Sequence, residues 1–244
     1  FDVNEETLPA AVAGLRTCGI RGFNLTMPNK NKIVELLDEL SPEAQLIGAV
    51  NTVLNDNGKL IGYNTDGYGF MQSVRDAGHD ITGKNITVMG VGGASMAICA
   101  QSALDGAASV HIFARRTSRY WNRTQKFAEN LSAKTGCQVC LFDNDDHTAL
   151  RDSIAQSYLL INATSVGMVP DIDDTIIKDT SLFHPELVVA DVVYEPQETR
   201  LLREAKAAGC QTFNGMYMLL HQGAKAFQIW TGQEMPVSVI KEKY

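Results

Sequence analysis

The sequence lacks any run of apolar residues long enough to cross a membrane, and we see no secretory signal in it. An excess of positive charge is also missing, since 21 Lys and Arg stand against 28 Asp and Glu, for a formal net charge of −7. Nonspecific binding to nucleic acid requires a basic surface. We therefore expect neither a membrane protein nor a nucleic-acid binder.

Cysteines are few, and their number is odd: the 244 residues contain five. This count does not indicate a disulfide framework, and we expect a reducing compartment, the cytoplasm. Cys137 and Cys140 have the spacing of a redox or zinc pair, but no second pair accompanies them and their neighbours alternate as in a strand. Because the histidines are also scattered without ligand spacing, we predict no metal site.

What the sequence does contain is a short segment of strand composition, Ile86–Met89, that leads directly into a cluster of glycines and then into a helical pattern of small residues. Strand, glycine turn and helix in this order are typical of a dinucleotide-binding unit, whose backbone approaches a pyrophosphate at the helix N-terminus. We expect Gly90, Gly92, Gly93 and Ala94 to form this phosphate loop. A glycine-rich turn in another kind of α/β protein is the alternative.

Strand and helix patterns alternate through the rest of the chain, which predicts a parallel sheet with right-handed crossovers. The sequence thus indicates an α/β fold, with a Rossmann-type parallel-sheet cofactor domain and a smaller α/β substrate domain. We place the substrate domain at residues 1–82 and the NAD(P)-binding domain at 83–216. The C-terminal helices, 217–244, are expected to pack back on the substrate domain.

Within the first domain, the spacing of apolar residues predicts helices over Leu8–Thr17, Ile33–Leu40 and Gly69–Ala77. Strand-like runs at Ala49–Leu54 and Lys59–Tyr63 are joined by an Asn-Asp-Asn-Gly segment, a strong signal for a hairpin turn. Such a hairpin brings polar residues from its two arms close together.

The end of the strand after the phosphate loop indicates which nicotinamide cofactor is used. An acidic residue there would bind the ribose 2′-hydroxyl of NAD, whereas arginine suits the 2′-phosphate of NADP. The chain has Ala114-Arg115-Arg116-Thr117 at this point, with no acid. Two guanidinium groups and a hydroxyl fit a phosphate, so we predict NADP(H). If an arginine instead stacks on adenine or faces solvent, NAD use stays open.

Lys30 and Asp66 are the residues that we expect to carry the chemistry. Lys30 follows a proline-containing loop, which holds it on a stiff backbone, and Asp66 follows a hairpin arm. Oxidation of an alcohol by hydride transfer needs a group that takes the hydroxyl proton, and a partly desolvated lysine beside a carboxylate suits this task. Taken singly, each is more often an exposed surface charge, and Asn24, Thr26 and Asn51 are as readily turn formers or caps.

Six longer motifs run through the chain. Those of the first domain are Asn24-Leu25-Thr26-Met27-Pro28-Asn29-Lys30, Gly48-Ala49-Val50-Asn51-Thr52 and Gly62-Tyr63-Asn64-Thr65-Asp66-Gly67. The later ones are Asn162-Ala163-Thr164-Ser165-Val166-Gly167-Met168, Asp191-Val192-Val193-Tyr194-Glu195-Pro196 and Asn214-Gly215-Met216-Tyr217-Met218-Leu219-Leu220-His221-Gln222. In content and order they resemble the motifs of the shikimate dehydrogenase family, and the first is similar to the quinate/shikimate dehydrogenase branch in particular.

This resemblance implies a two-domain enzyme that interconverts 3-dehydroshikimate and shikimate with a nicotinamide cofactor, in aromatic amino-acid (chorismate) biosynthesis. It implies that Lys30 and Asp66 are the catalytic pair, and that Thr26, Asn51 and Gln222 bind substrate hydroxyls. The cofactor contacts that it implies are Gly90, Gly92, Gly93, Ala94, Arg115, Arg116, Thr117, Met168 and Gly215.

Two features depart from the family's pattern. The family has an upstream strand–helix region with a Ser-x-Ser pair that holds the substrate carboxylate, and nothing in this chain matches it. We therefore expect that the N-terminal part of the substrate domain is absent from the chain as given. The family also usually has Asn where this chain has Ala114, which leaves the choice between NADP and NAD less determined.

Two other functions stay open at this point. Quinate carries one hydroxyl more than shikimate, too small a difference for the sequence to exclude a quinate/shikimate dehydrogenase that uses NAD or NADP. A nucleotide-binding regulator without catalysis is a more distant alternative, and the retained Lys30, Asp66 and Gln222 argue against it. We expect a monomer or homodimer whose partners are small molecules: shikimate, 3-dehydroshikimate and, in the first alternative, quinate.

Overall fold

The structure is a computed structural model, and it describes residues 1–242. Within that range the strands are β1 (Gly22–Asn24), β2 (Glu39–Leu40), β3 (Thr52–Asp56), β4 (Lys59–Tyr63), β5 (Asn85–Met89), β6 (Ser109–Ala114), β7 (Gln138–Asp143), β8 (Leu159–Asn162), β9 (Val188–Asp191) and β10 (Gln211–Phe213). The α-helices are α1 (Leu8–Thr17), α2 (Pro42–Ile47), α3 (Asp66–Asp76), α4 (Gly93–Leu104), α5 (Trp121–Thr135), α6 (His147–Gln156), α7 (Arg200–Ala207), α8 (Met216–Thr231) and α9 (Val237–Lys241).

The larger sheet is parallel throughout, with the order β10-β9-β8-β5-β6-β7 among the described strands. Every residue of β8 and β9 is buried, as expected for strands covered on both faces. In the register, Val88 of β5 lies between Ile112 of β6 and Ile161 of β8, and all three side chains are fully buried. The parallel, Rossmann-type sheet predicted from the sequence is therefore confirmed.

The order of this sheet also locates its binding crevice. The chain runs outward from β5 to β6 and β7, and then returns to the other side of β5 with β8. Ligands of open parallel sheets bind where the order reverses, beyond the carboxyl ends of the strands. In this protein that point lies between β5 and β8, directly at the glycine turn that follows β5.

The smaller sheet has the order β1-β3-β4-β2 among the described residues and is built on the predicted hairpin. β3 and β4 pair antiparallel, and Asn57 in their turn has a φ of 54°, a left-handed conformation that Asn tolerates better than most residues. Ile33, Val50 and Leu60 are fully buried in the small core under this sheet.

The prediction of one helix over Ile33–Leu40 is wrong. A 3-10 helix covers only Lys32–Leu36, and Glu39–Leu40 forms the short strand β2, parallel to β4. Asp38 lies between these elements and accepts a hydrogen bond from the backbone N–H of Leu60, 2.7 Å away. Pairing with residues 22 positions further along the chain thus overrides the local helical spacing. The short strand β10 was not predicted either, and α3 begins at Asp66, earlier than expected.

Helices α3 and α8 connect the two sheets. α3 packs along α8 on one side and along α4, the first helix of the larger sheet, on the other. Near its end α8 reaches the smaller sheet, where the indole Nε1 of Trp230 donates to the carbonyl oxygen of Val53 at 2.9 Å. Side chains from both halves of the chain therefore face a common cleft.

Candidate active site

A cleft of about 430 Å³ lies between the two halves. Its walls come from the loop after β1, the start of α3, the start of α4, the end of β9 and the first turns of α8. The lining residues are Asn24, Leu25, Thr26, Lys30, Asn51, Asp66, Ala94, Val192, Tyr194, Gly215, Met218, Leu219 and Gln222. The predicted substrate residues Thr26, Asn51 and Gln222 and the predicted pair Lys30 and Asp66 are all among them.

Lys30 and Asp66 form an ion pair in this cleft, with 2.7 Å between Lys30 Nζ and Asp66 Oδ2. Their side chains are 18% and 10% exposed, so bulk water screens the pair only in part. The backbone holds each residue: the Lys30 carbonyl accepts from the N–H of Val50 at 2.8 Å, and the Asp66 N–H donates to Asn64 Oδ1 at 3.1 Å. Asp66 also lies in the first turn of α3, where the helix dipole favours a negative charge.

The second carboxylate oxygen of Asp66, Oδ1, is hydrogen-bonded to Asn51. Its amide nitrogen Nδ2 donates to Asp66 Oδ1 at 2.8 Å and lies 3.4 Å from Gln222 Oε1. Its Oδ1 accepts from the N–H of Thr65 and from Thr52 Oγ1, each at 2.9 Å. The orientation of the Asn51 amide is therefore fixed, and it directs the other carboxylate oxygen of Asp66 toward Lys30.

Two supporting asparagines were not among the residues predicted to carry catalysis or binding. Asn24 Nδ2 donates to the carbonyl of Asn51 at 3.1 Å and to Thr52 Oγ1 at 2.9 Å. Asn64 Nδ2 donates to the carbonyl of Ala49 at 3.1 Å. Both belong to the quoted motifs, and the repeated Asn and Thr of those motifs were the available signal. They hold the Asn51 loop against the start of α3.

The glycine turn after β5 has the shape of a phosphate cradle. Gly90 has a φ of +113°, and a Cβ there would lie 2.8 Å from Thr164 Cγ2, so only glycine fits. Gly92 and Gly93 have nothing within 4 Å of an added Cβ, which leaves open space above the N-terminus of the 12-residue helix α4. Backbone N–H groups and a helix dipole facing open space fit a pyrophosphate.

The end of β9 and the start of α8 close the cleft on the cofactor side. A Cβ on Gly215 would lie 2.0 Å from the carbonyl oxygen of Val192, so the two backbones touch. Behind them, the fully buried Asp191 accepts from the Val193 N–H at 2.9 Å and from Thr199 Oγ1 at 2.8 Å. Burial raises the pKa of Asp191, although these hydrogen bonds oppose the rise. A role for Asp191 in supporting this wall was not predicted from the sequence.

Not every predicted cofactor residue lines the cleft itself. Met168 lies outside its lining, with an exposed side chain. Arg115, Arg116 and Thr117 directly follow β6 and are exposed. The Arg116 guanidinium lies 4.6 Å from the ring centroid of Trp121, and the Arg116 N–H donates to Asp143 Oδ1 at 3.3 Å. Two guanidinium groups thus remain at the surface beside the phosphate loop.

Residues set aside in the sequence also have structural partners. His221 does not line the cleft; its Nε2 lies 2.5 Å from Asp76 Oδ2, whereas its neighbour Gln222 faces the cleft.

The cysteines within residues 1–242 are all free thiols, and burial raises the pKa of Cys99 to about 12 and that of Cys137 to about 11. No helix in the described range is both long and apolar enough to span a membrane.

Family models match both ends of the chain. The model of the shikimate dehydrogenase substrate binding domain matches residues 1–53. The model of the shikimate 5'-dehydrogenase C-terminal domain matches residues 215–243. These regions include the Lys30 loop and the Gln222 helix.

Known relatives match nearly the whole chain. A Listeria innocua protein named shikimate dehydrogenase (NADP(+)) is 51% identical over 242 residues, covering 99% of this chain and 83% of that protein. A quinate/shikimate dehydrogenase of Escherichia coli is 42% identical, covering 99% of this chain and 84% of that protein. The crystal structure of shikimate 5-dehydrogenase from Listeria monocytogenes with shikimate and NAD is 50% identical; its TM-score is 0.96, and the match covers 100% of this chain and 84% of that one. By its fold, its cleft and these relatives, the chain belongs to the shikimate dehydrogenase family.

Proposed function

We propose that this chain catalyses the reversible NADP(H)-dependent reduction of 3-dehydroshikimate to shikimate, a step of aromatic amino-acid (chorismate) biosynthesis. Family membership makes it an NAD(P)-dependent oxidoreductase that acts on a secondary alcohol. The observation that carries the proposal is the largely buried Lys30–Asp66 ion pair, which faces a cleft whose opposite wall comes from the dinucleotide-binding half of the chain.

The ion pair supplies the proton chemistry of this reaction. During reduction, Lys30 Nζ donates a proton to the substrate oxygen as the carbonyl becomes a hydroxyl; during oxidation it accepts that proton back. Asp66 Oδ2 holds Nζ in place through the 2.7 Å contact. The nicotinamide, when bound, accepts or supplies the hydride at the same carbon.

The polar residues around the pair fit a substrate that carries several hydroxyl groups. Thr26, Asn51 and Gln222 line the cleft with one hydroxyl and two amides, which both donate and accept hydrogen bonds. The Listeria monocytogenes relative that shares this fold was crystallised with shikimate, a polyhydroxylated acid. We assign these three residues to the substrate hydroxyls.

NADP is the cofactor that we propose, with NAD as a second cofactor. The relative from Listeria innocua is named for NADP(+), and Arg115, Arg116 and Thr117 offer a phosphate site beside the glycine turn. The open space over Gly92 and Gly93 suits the pyrophosphate of either cofactor, and the Listeria monocytogenes structure contains NAD. Met168 and Gly215 are assigned to the nicotinamide end.

Other expectations from the sequence remain proposals. We keep the division into a substrate domain (1–82), a cofactor domain (83–216) and C-terminal helices (217–244), and a monomer or homodimer. Cytoplasmic location is supported by the free cysteines within residues 1–242. The quinate/shikimate alternative is favoured by the Escherichia coli relative of that name. A non-catalytic regulator would have no use for Lys30, Asp66 and Gln222 gathered in one cleft.

Initial rates with four substrate–cofactor combinations test the proposal. Shikimate or quinate is supplied with NADP⁺ or NAD⁺, and nicotinamide reduction is followed by its absorbance. We expect the highest kcat/KM with shikimate and NADP⁺. A higher kcat/KM with quinate would favour the alternative, and no reduction in any combination would contradict the proposal.

A further inference from the structure

The first turn of α3 carries Asp66 and two buried glycines, Gly67 directly after Asp66 and Gly69 two residues further on. Successive residues of an α-helix are rotated by about 100°, so these two positions lie about 200° apart around the axis. They therefore face almost opposite sides of α3. Each side is in contact with a different helix of the candidate site.

On the Gly67 side, the backbones of α3 and α4 touch. A Cβ on Gly67 would lie 2.4 Å from the carbonyl oxygen of Ala97 and 2.9 Å from Gln101 Cβ. The first of these atoms belongs to the backbone and cannot rotate away. α4 begins at Gly93, at the proposed phosphate loop, so the residue next to Asp66 in the chain packs directly against the helix that would position the cofactor.

On the Gly69 side, α3 touches the backbone of α8. A Cβ on Gly69 would lie 2.7 Å from both the Gln222 N–H nitrogen and the Met218 carbonyl oxygen. Both Gln222 and Met218 line the cleft, and Gln222 is one of the three residues assigned to the substrate. The helix turn that begins with Asp66 therefore packs, through Gly69, against the helix that presents this amide.

We propose that Gly67 and Gly69 are positioning residues that set two separate distances in the active site. Gly67 sets the distance between the Lys30–Asp66 pair and the cofactor helix α4. Gly69 sets the distance between that pair and Gln222 on α8. This inference rests on the proposed function, because it concerns the same substrate and cofactor.

The size of the expected displacement follows from the contact distances. Ordinary van der Waals contact begins at 3.4 Å, so alanine at position 67 requires α3 and α4 to separate by about 1 Å, and alanine at position 69 requires a somewhat smaller shift of α8. A misplacement of about 1 Å between reacting groups costs up to about 10²-fold in rate. The two substitutions should therefore impair different kinetic constants.

The test compares Gly67→Ala and Gly69→Ala in steady-state kinetics with shikimate and NADP⁺. Gly67→Ala should lower kcat by about 10-fold to 10²-fold, while the Kd for NADP⁺, measured by fluorescence titration, stays within about twofold. Gly69→Ala should raise the KM for shikimate by about 10-fold with a smaller change in kcat. If the two glycines mattered only for folding, Gly67→Ala would not act mainly on kcat and Gly69→Ala mainly on KM.

Two control variants separate positioning from stability. Gly223→Ala makes the same substitution in α8 next to Gln222, where an added Cβ has nothing within 4 Å, and should keep wild-type constants. Val74→Ala removes buried volume from α3 and lowers the Tm, but should leave kcat and KM within about twofold.

The outcomes distinguish this inference from the proposed function. Wild-type protein that does not reduce NADP⁺ with shikimate overturns both. Active wild type with unchanged kcat in Gly67→Ala and unchanged KM in Gly69→Ala overturns the positioning roles alone, and so does a loss of kcat in Val74→Ala equal to that of Gly67→Ala. If Gly67→Ala does not fold, the KM of Gly69→Ala decides, and a wild-type value overturns the proposal.

Discussion

Asp66 contacts two different partners with its two carboxylate oxygens. Oδ1 accepts from Asn51 Nδ2 at 2.8 Å, and Oδ2 contacts Lys30 Nζ at 2.7 Å. Because the Asn51 amide is itself held by Thr65 and Thr52, neither oxygen can turn without breaking a hydrogen bond. The position of the Lys30 ammonium is thus fixed by a chain of contacts that ends in backbone.

Asp66→Asn should lower kcat by about 10²-fold, within the usual range for the loss of acid–base assistance. An asparagine that keeps its oxygen toward Asn51 must turn its own NH₂ toward the Lys30 ammonium, donor against donor. The measurement is the rate of NADP⁺ reduction by shikimate at saturating concentrations of both.

A matched control for this change is Asp56→Asn, which removes an exposed ion pair with Arg21 far from the cleft. It should keep the wild-type kcat. If Asp66→Asn and Asp56→Asn had equal rates, Asp66 would have no part in catalysis.

The arginines after β6 should determine the preference for NADP. In the R115A/R116A double variant, we expect the KM for NADP⁺ to rise by about 10-fold or more, since hydrogen bonds to a charged group are each worth about 1.5–3 kcal/mol. The KM for NAD⁺ should change little, because NAD has no 2′-phosphate. Steady-state titration of both cofactors measures the two constants.

Arg151→Ala, at an exposed position of α6, is the control for a general loss of positive charge. It should leave both KM values unchanged. An equal rise for NADP⁺ and NAD⁺ in the double variant would show that Arg115 and Arg116 do not recognise the phosphate. The stacking of Arg116 on Trp121 would then be its main contribution.

At the scale of single elements, the local sequence pattern predicted an element correctly where the element is long, or where a recognisable turn joins two neighbouring strands. Leu8–Thr17 was predicted with the bounds that α1 has, and the Asn-Asp-Asn-Gly turn correctly placed the β3–β4 hairpin. Glu39–Leu40 and Gln211–Phe213 were missed as strands, because two or three residues carry almost no periodic signal. They are strands only through their pairing with β4 and β9, which lie far away in sequence.

One contact between helices should appear in the pH dependence of stability. Asp76, in α3, accepts hydrogen bonds from Lys241 of α9 and from His221 of α8. Burial raises the pKa of Asp76, but the hydrogen bonds from Lys241, His221 and Gln72 outweigh burial, and its pKa lies below the ordinary value of 3.8. The contact therefore stabilises the folded protein only while Asp76 is ionised.

The sign of this effect follows from proton binding. Between pH 3.8 and the lower pKa of the folded state, the unfolded chain binds more protons, so the free energy of unfolding falls as the pH falls. We expect that fall, from about pH 5 downward, to be shallower in Asp76→Asn than in wild type. Urea titrations at a series of pH values measure it, with Asp2→Asn as the control; identical slopes in wild type and Asp76→Asn would contradict the prediction.

On the scale of the whole molecule, the active site exists only because two sheets meet. Lys30 and Asn51 lie in loops that adjoin strands of the smaller sheet, Gly92 and Val192 follow β5 and β9 of the larger one, and α3 and α8 connect the two sheets. The motifs predicted which residues would gather in the cleft. They did not predict the separations, because contacts such as Gly67 with Ala97 depend on how helices distant in sequence pack.

The same limit explains which supporting residues were missed. Asp191 takes its role from burial between two strand ends, and His221 from its contact with Asp76. A sequence shows that a residue is ionisable, but not that its surroundings are dry or that a partner 145 positions away is within hydrogen-bond reach. The motifs predicted residues that the structure brings together in one cleft, but the residues that support them are evident only in the folded chain.

The most direct test of the central claim is the kcat for NADP⁺ reduction by shikimate in Lys30→Ala, compared with wild type and with Lys32→Ala, an exposed lysine two residues away. If Lys30 Nζ moves the proton in the cleft, kcat in Lys30→Ala falls by about 10²-fold to 10⁴-fold, while NADP⁺ binding and the kcat of Lys32→Ala stay at wild-type values. A Lys30→Ala enzyme that turns over as fast as wild type would contradict the account.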